Sequence, residues 1–290
     1  MKIELCAFAD EAGSALSDQI AALKAHDIRL LELRSADGQN VADLSEEKAR
    51  DIKKRLDENG ITVFSIGSPI GKIRVSDDFS AHLDKLNHIF ALCGIFGCQK
   101  IRMFSFFTET PARDRAEVMR RLSVMAAAAD RRGLALYHEN EKEIYGDTVA
   151  RTVDLLDAVP ALRSIYDPAN FMQCGEDADL SIDTLLSRAD YIHIKDVVRA
   201  TGELVPAGYG DCKIDRILSL LNGGKVLTVE PHLALFDGYA AIDGSEMKTR
   251  FAFKTQQEAF AAAVTALKDL LRAGGFIERD GAYVKEGARV

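Results

Sequence analysis

The chain has 290 residues, 47% hydrophobic and 28% charged, with only six prolines. That balance excludes a disordered or collagen-like chain and supplies enough apolar material for a large core. The formal charge of −8, from 37 Lys and Arg against 45 Asp and Glu, argues against a nucleic-acid partner, because phosphate backbones are bound by clustered cations. No run approaches the roughly 20 apolar residues that span a bilayer. The amino terminus MKIELCAFAD enters an apolar run without a basic leader, so a cytoplasmic protein with a small-molecule partner and no membrane partner is expected. Cys6, Cys93, Cys98, Cys174 and Cys212 are scattered and odd in number, which reads as reduced thiols rather than disulfides or a zinc cluster.

Short β-rich runs alternate with amphipathic segments along the whole chain. The runs are 2–8, 29–34, 61–67, 100–107, 134–140, 163–170, 191–197 and 225–231, with starts about 30 residues apart, the length of one βα unit. Helices are readable between them. In 45–59, Ser45 caps the start, Ala49, Ile52 and Leu56 form one stripe, and Asn59-Gly60 stops the helix. In 111–132, Pro111 opens, Val118, Leu122 and Met125 face inward, and Arg131-Arg132-Gly133 closes. A last helix over about 254–272 carries Phe260, Val264, Leu267 and Leu271. Eight such units with strands apolar on both faces predict an α/β fold, a single (β/α)8 TIM barrel over 1–290. A doubly wound open sheet is the alternative, but no first βα turn carries a dinucleotide-binding glycine pattern, and Gly208-x-Gly210 comes too late in the chain.

Three connections exceed what a barrel needs: 68–80, 197–212 and 231–253. All three follow a strand's C-terminal end and so rise over one face, the face that holds active sites in such barrels. The aromatic residues Phe236, Tyr239, Phe251 and Phe253 in the third read as a lid over the site or as a contact between copies in a homo-oligomer.

Four consecutive strands end in a hard-metal ligand: Glu139 in YHEN, Asp167 in YDPAN, His193 in YIHIKD and Glu230 in TVEPH. A lone carboxylate at such a place is usually a helix cap or a solvated rim charge, and Asp167 before Pro168 is the one most open to that reading. Three carboxylates converging on one mouth repel each other unless a cation compensates them. Three carboxylates and one imidazole suit one divalent cation, Mn²⁺ first, with Mg²⁺ or Co²⁺ as alternatives.

The set HEN, DPAN, HIKD and VEPH resembles the sugar isomerase/epimerase branch of the xylose-isomerase-like TIM barrels, a group that also contains apurinic endonucleases. The resemblance runs from ELR at 32–34 to the last helix. It implies that Glu139, Asp167, His193 and Glu230 bind one divalent cation, that Glu139 and Glu230 also act as the acid/base pair, and that Arg199, six residues after the histidine, contacts substrate. The sequence departs from the epimerase pattern at Asn170, where those enzymes carry a histidine three residues after the metal aspartate. The nuclease branch holds several metals with many histidines, and this chain has six in all.

These features predict a metal-dependent isomerase or epimerase acting on a ketose or keto-polyol. The metal stabilises an enediolate while one glutamate removes a proton and the other returns it. A dehydratase or lyase of a keto-sugar shares the first step, and a non-catalytic, metal-stapled binding subunit is the third reading. Lys195, on the same strand face as His193, reads as a second base, a charge clamp or a rim lysine. His232 lies two residues beyond Glu230 and can face the mouth, whereas strand alternation turns His138 outward under a helix. Glu32, Ser65 and Lys72 are placed where they can meet substrate hydroxyls.

Overall fold

Each apolar run becomes a short strand in the computed structural model, which describes residues 1–234, 251 and 253–285. The strands are β1 (Lys2–Ala7), β2 (Leu30–Leu33), β3 (Thr62–Ile66), β4 (Lys100–Met103), β5 (Ala135–Glu139), β6 (Arg163–Tyr166), β7 (Tyr191–Ile194) and β8 (Lys225–Val229). Each pairs in parallel with the next, and β8 pairs with β1, so the sheet closes and the open-sheet alternative is excluded.

Helices α1 (Leu16–Ala25), α2 (Glu46–Glu58), α3 (Phe79–Phe96), α4 (Pro111–Asp130), α5 (Val149–Ala158), α6 (Ala178–Leu185), α7 (Ile214–Leu220) and α8 (Gln256–Ala273) follow the strands in turn. Their local causes are those of the sequence. Ser45 Oγ accepts the Lys48 N–H at the start of α2, and Ala49, Ile52 and Leu56 are its buried face. Pro111 opens α4, with Val118, Leu122 and Met125 buried. None of the described helices is long and apolar enough to cross a membrane.

Apolar side chains divide into two cores. The larger lies between strands and helices. The smaller plugs the barrel interior with Tyr137, Ile165 and Tyr191, against Phe64, Ala135 and Val226. The Tyr191 ring meets Phe64 edge-on at 5.1 Å and Tyr137 at 5.4 Å. A hairpin of β9 (Phe276–Arg279) and β10 (Ala282–Lys285), which the sequence reading did not include, pairs with Lys2–Glu4 of β1. It covers the edge of β1 below the point where β2 begins to pair, at Cys6 and Ala7.

Three runs stop earlier than the sequence suggests, and each stop has a reason. β4 ends at Met103 because Phe104, Phe106 and Phe107 donate their N–H groups to Ile70, Gly71 and Ile73 of the 68–80 loop instead. β6 ends at Tyr166 because Asp167 caps a short helix, Pro168–Gln173, with the proline in its first turn. β7 ends at Ile194 because Asp196–Val198 turns away into a separate ladder with Glu203–Val205. The carboxylate of Asp196 then gathers the long loop, accepting N–H groups from Val197, Gly208, Gly210 and Cys212 at 2.8–3.1 Å. A Cβ on Gly210 would lie 2.2 Å from Asp196 Oδ1, so the late Gly-x-Gly serves this cradle. Phe236 and Tyr239 fall outside the described residues, while Phe251 stacks on Phe253 at 6.3 Å.

The 68–80 loop is pinned just as closely. Gly71 has φ +90°, its N–H donates to His82 Nε2 at 2.9 Å, and a Cβ there would sit 1.9 Å from the Phe104 carbonyl oxygen. Gly71→Ala is therefore expected to destabilise the fold by about 2–4 kcal/mol. Chemical denaturation would measure this, and a loss within about 0.5 kcal/mol would show that the loop rearranges without cost.

Candidate metal centre and active site

Strand period two sends Glu139 of β5, His193 of β7 and the residue after β8, Glu230, to the barrel interior, above the aromatic plug. Asp167 joins them from the cap of the short helix after β6. One ligand atom from each of Glu139, Asp167, His193 and Glu230 lies within 4.8 Å of the others, and all four residues are at most 2% exposed. His193 Nδ1 is 2.8 Å from Glu139 Oε1 and 3.0 Å from Glu230 Oε2. Asp167 uses Oδ1 to accept the Asn170 N–H at 2.9 Å, so the capping and ligand roles fall on separate oxygens.

The donor set fits a cation. Glu139 Oε2, Asp167 Oδ2 and Glu230 Oε2 are fully buried and receive no well-aligned hydrogen bond, although burying a charged oxygen without one is costly. Burial pushes the Asp167 carboxyl up to about 7 against the pull of Lys195, with Glu230 and Glu139 adding to the rise. Burial also disfavours ionised Glu230, but Lys195 and His193 outweigh it and hold that group well below the usual carboxylate range. Burial opposes a charged His193, yet Glu139, Glu32 and Glu230 raise its pKa well above normal. Such a set either carries extra protons or shares a metal ion.

Buried cations hold the cage in place. Lys195 Nζ is 2.9 Å from Asp167 Oδ2 and 3.7 Å from Glu230 Oε2. Arg102 reaches Glu139 at 3.2 Å and Glu230 at 3.7 Å, and donates to the Gly67 carbonyl at 3.1 Å. Arg34 pairs with Asp10, Glu11 and Glu230 at 2.8, 3.3 and 3.1 Å. Both guanidinium groups lie over the Phe8 ring.

The other sequence candidates scatter. Glu32 is not at the mouth: it lies below His193 with 0% exposure, its oxygens taken by His193 Nε2, Tyr191 and Thr228. The β-bulge between Leu31 and Glu32 shifts its register against β3. Ser65 is equally deep, 3.3 Å from the Tyr191 hydroxyl. Arg199 points away from the cage; its side chain is 51% exposed, 3.8 Å from Asp177 and donating to the Gly175 carbonyl. Asn170 donates its side-chain amide to the Asn140 carbonyl at 2.8 Å. Lys72 sits at the rim, 3.3 Å from Glu141 and over the Phe104 ring. His232 has φ +47°, donates its N–H to Glu11 Oε2 at 2.7 Å, and brings Nε2 to 3.6 Å from Glu230. His138 faces outward and bonds Ser105 Oγ at 3.0 Å.

Sequence reasoning missed Asp10, Glu11, Arg102 and Asn140 altogether. Asn140 ties two ligand strands together, accepting the Asp167 N–H at 3.1 Å and donating to its carbonyl at 2.9 Å. The available signals were an acidic pair directly after the first strand and an arginine inside the apolar KIRMF run.

A comparison with curated proteins finds no match. Solved structures with the same fold include an L-ribulose 3-epimerase, 20% identical with a TM-score of 0.72, covering 94% of this chain and 95% of that one. The probable 3-DHS dehydratase AsbF of Bacillus anthracis is 19% identical, with a TM-score of 0.69 and coverage of 92% and 99%. The IOLI protein, whose structure holds a zinc atom, is 15% identical, with a TM-score of 0.71 and coverage of 92% and 97%. The sequence profile of the xylose isomerase-like TIM barrels matches residues 20–235. Closed barrel, interior cluster and sequence match lead to one conclusion: the chain belongs to the xylose isomerase-like TIM barrel family.

Proposed function

We propose that the protein is a divalent-metal-dependent isomerase or epimerase of an uncharged ketose or keto-polyol. The reading is supported by one observation above all, the buried cluster of Glu139, Asp167, His193 and Glu230 with three carboxylate oxygens left without aligned donors. Oxygen-rich donors with one imidazole favour Mn²⁺, with Mg²⁺ or Co²⁺ next. When bound, the cation polarises a substrate carbonyl and makes the neighbouring C–H more acidic.

The protein's own groups account for the rest. Glu139 and Glu230 flank the same point from β5 and from the end of β8, so one can take the carbon-bound proton and the other return it. The cations around Glu230 keep it ionised and ready to accept. Lys195 stays charged because Asp167 and Glu230 outweigh the cost of its burial, and it can donate to a substrate oxygen. A charged, buried ammonium also suits the departure of a hydroxyl or alkoxide, which favours elimination by a dehydratase or lyase as the second reading.

Charge balance supports an uncharged substrate. The site contains Asp10, Glu11, Glu32, Glu139, Asp167 and Glu230 with Arg34, Arg102 and Lys195, and at its rim the separate pair Lys72 and Glu141. Each of those cations already faces a carboxylate within 3.3 Å. Among the described residues, a phosphate or carboxylate on the substrate would meet only cations already paired with carboxylates.

Three measurements test the reading. Solvent deuterium should exchange into a ketose substrate of the Mn²⁺ form, and Glu139→Gln or Glu230→Gln should slow exchange on the order of 10²–10⁴-fold. Isomerisation without exchange would point to a hydride shift, and product loss of water to elimination. Calorimetric Mn²⁺ affinity should rise from pH 6 to pH 8, because Asp167, near 7, and His193, raised above its normal value, must both release protons to ligate; a flat profile would argue against this ligand set. A ketose should outperform its own phosphate ester in kcat/KM by at least about tenfold, and the reverse order would refute the uncharged substrate.

A further inference from the structure

We propose that Glu32 is a positioning residue: with Tyr191, Thr228 and Ser65 it forms a buried bracket that presents His193 Nδ1, and not Nε2, to the cation cage. The inference rests on the cage reading above and assigns a role to a residue that the sequence alone places among the substrate contacts.

The geometry divides the imidazole in two. Its Nδ1 edge faces Glu139 and Glu230 at 2.8 and 3.0 Å, while its Nε2 edge faces Glu32 Oε2 at 3.1 Å. An acceptor-only carboxylate at Nε2 holds a proton there, so the proton a metal would displace is the one on Nδ1. Glu32 is in turn fixed on both oxygens. Tyr191 Oη donates to Oε1 at 2.9 Å, Thr228 Oγ1 donates to Oε2 at 3.2 Å, and Ser65 Oγ lies 3.3 Å from the Tyr191 hydroxyl. Glu32, Ser65, Thr228 and His193 are all fully buried.

The ring cannot turn over easily to exchange its nitrogens. Phe8 packs edge-on against it, with centroids 5.2 Å apart and planes at 82°, and Tyr191 packs at 5.6 Å from below. Glu32 is a poor candidate for a further metal ligand, because it lies on the opposite edge of the imidazole from the cage and already accepts three hydrogen bonds. It is equally poor as a substrate contact, since no surface of it reaches the mouth. Orienting His193 is the role that remains.

The test is cation affinity in the intact protein, read by calorimetry with Co²⁺ and Mn²⁺, together with the visible spectrum of the Co²⁺ form and the ¹⁵N shifts of His193. Glu32→Gln should weaken binding by about 10–100-fold and alter the Co²⁺ spectrum, since its amide can donate to Nε2 and reverse the tautomer. Tyr191→Phe and Thr228→Val each leave the carboxylate in place and should weaken binding by about 3–10-fold. Affinity within twofold of wild type in Glu32→Gln, or weaker affinity with an unchanged spectrum and tautomer, would overturn the proposal. If Glu32→Gln fails to fold, wild-type affinity in both milder variants would overturn it as well. A wild-type protein that takes up neither cation would instead remove the cage reading on which this inference stands.

Discussion

The structure depends on accommodating several acidic side chains inside a closed barrel. Glu32, Glu139, Asp167 and Glu230 are all at most 2% exposed, and each isolated charge in such a medium would cost several kcal/mol. The fold answers with Arg34, Arg102, Lys195 and His193, each within 3.3 Å of at least one of these carboxylates or their acidic neighbours. Removing one partner would leave an uncompensated buried charge, so these acids and bases stand or fall together. The carboxylate oxygens that this network leaves without aligned donors, on Glu139, Asp167 and Glu230, are what make a divalent cation a natural occupant.

How this network was visible in the sequence follows from strand geometry. Glu139, His193 and Glu230 stand out because each ends a β-rich run on consecutive units, where period two and the C-terminal face together define a direction. Asp167 was ambiguous for a sound reason, since it both caps the helix at Pro168 and turns a second oxygen to the cage. Arg102 was hidden because an arginine within KIRM resembles a rim residue until neighbouring strands close around it. Asp10 and Glu11 lie on a short 3-10 turn after β1, which reads as loop in a segment without periodicity. Depth was the least legible quantity: Glu32 and Lys72 look alike as polar residues near strand ends, yet one lies under the imidazole and the other at the rim.

The loops over the mouth follow a different logic from the strands beneath. Regular pairing ends at Met103, Tyr166 and Ile194, and the backbone groups beyond those points must find other partners. The 68–80 loop takes those of Phe104 to Phe107, and the Asp196 carboxylate takes four from the 197–212 loop. Gly71 and Gly210 are needed where these solutions bring backbone or carboxylate too close for a Cβ. Long connections that look unconstrained in sequence are thus tied by specific atoms to the barrel they cover.

Height along the barrel axis separates three tasks. An aromatic plug of Tyr137, Ile165 and Tyr191 fills the interior. The hydroxyl of Tyr191 belongs to the next layer, where it and Thr228 hold Glu32 against His193 from below. Above that lie the cage and, at the rim, Lys72 with Glu141. A residue in the middle layer touches both the packing below and the buried cluster above. A rim pair such as Lys72 and Glu141 makes no contact with the imidazole. On this arrangement the buried cluster is set by strands and the rim by loops, so one barrel can keep the first while the second varies.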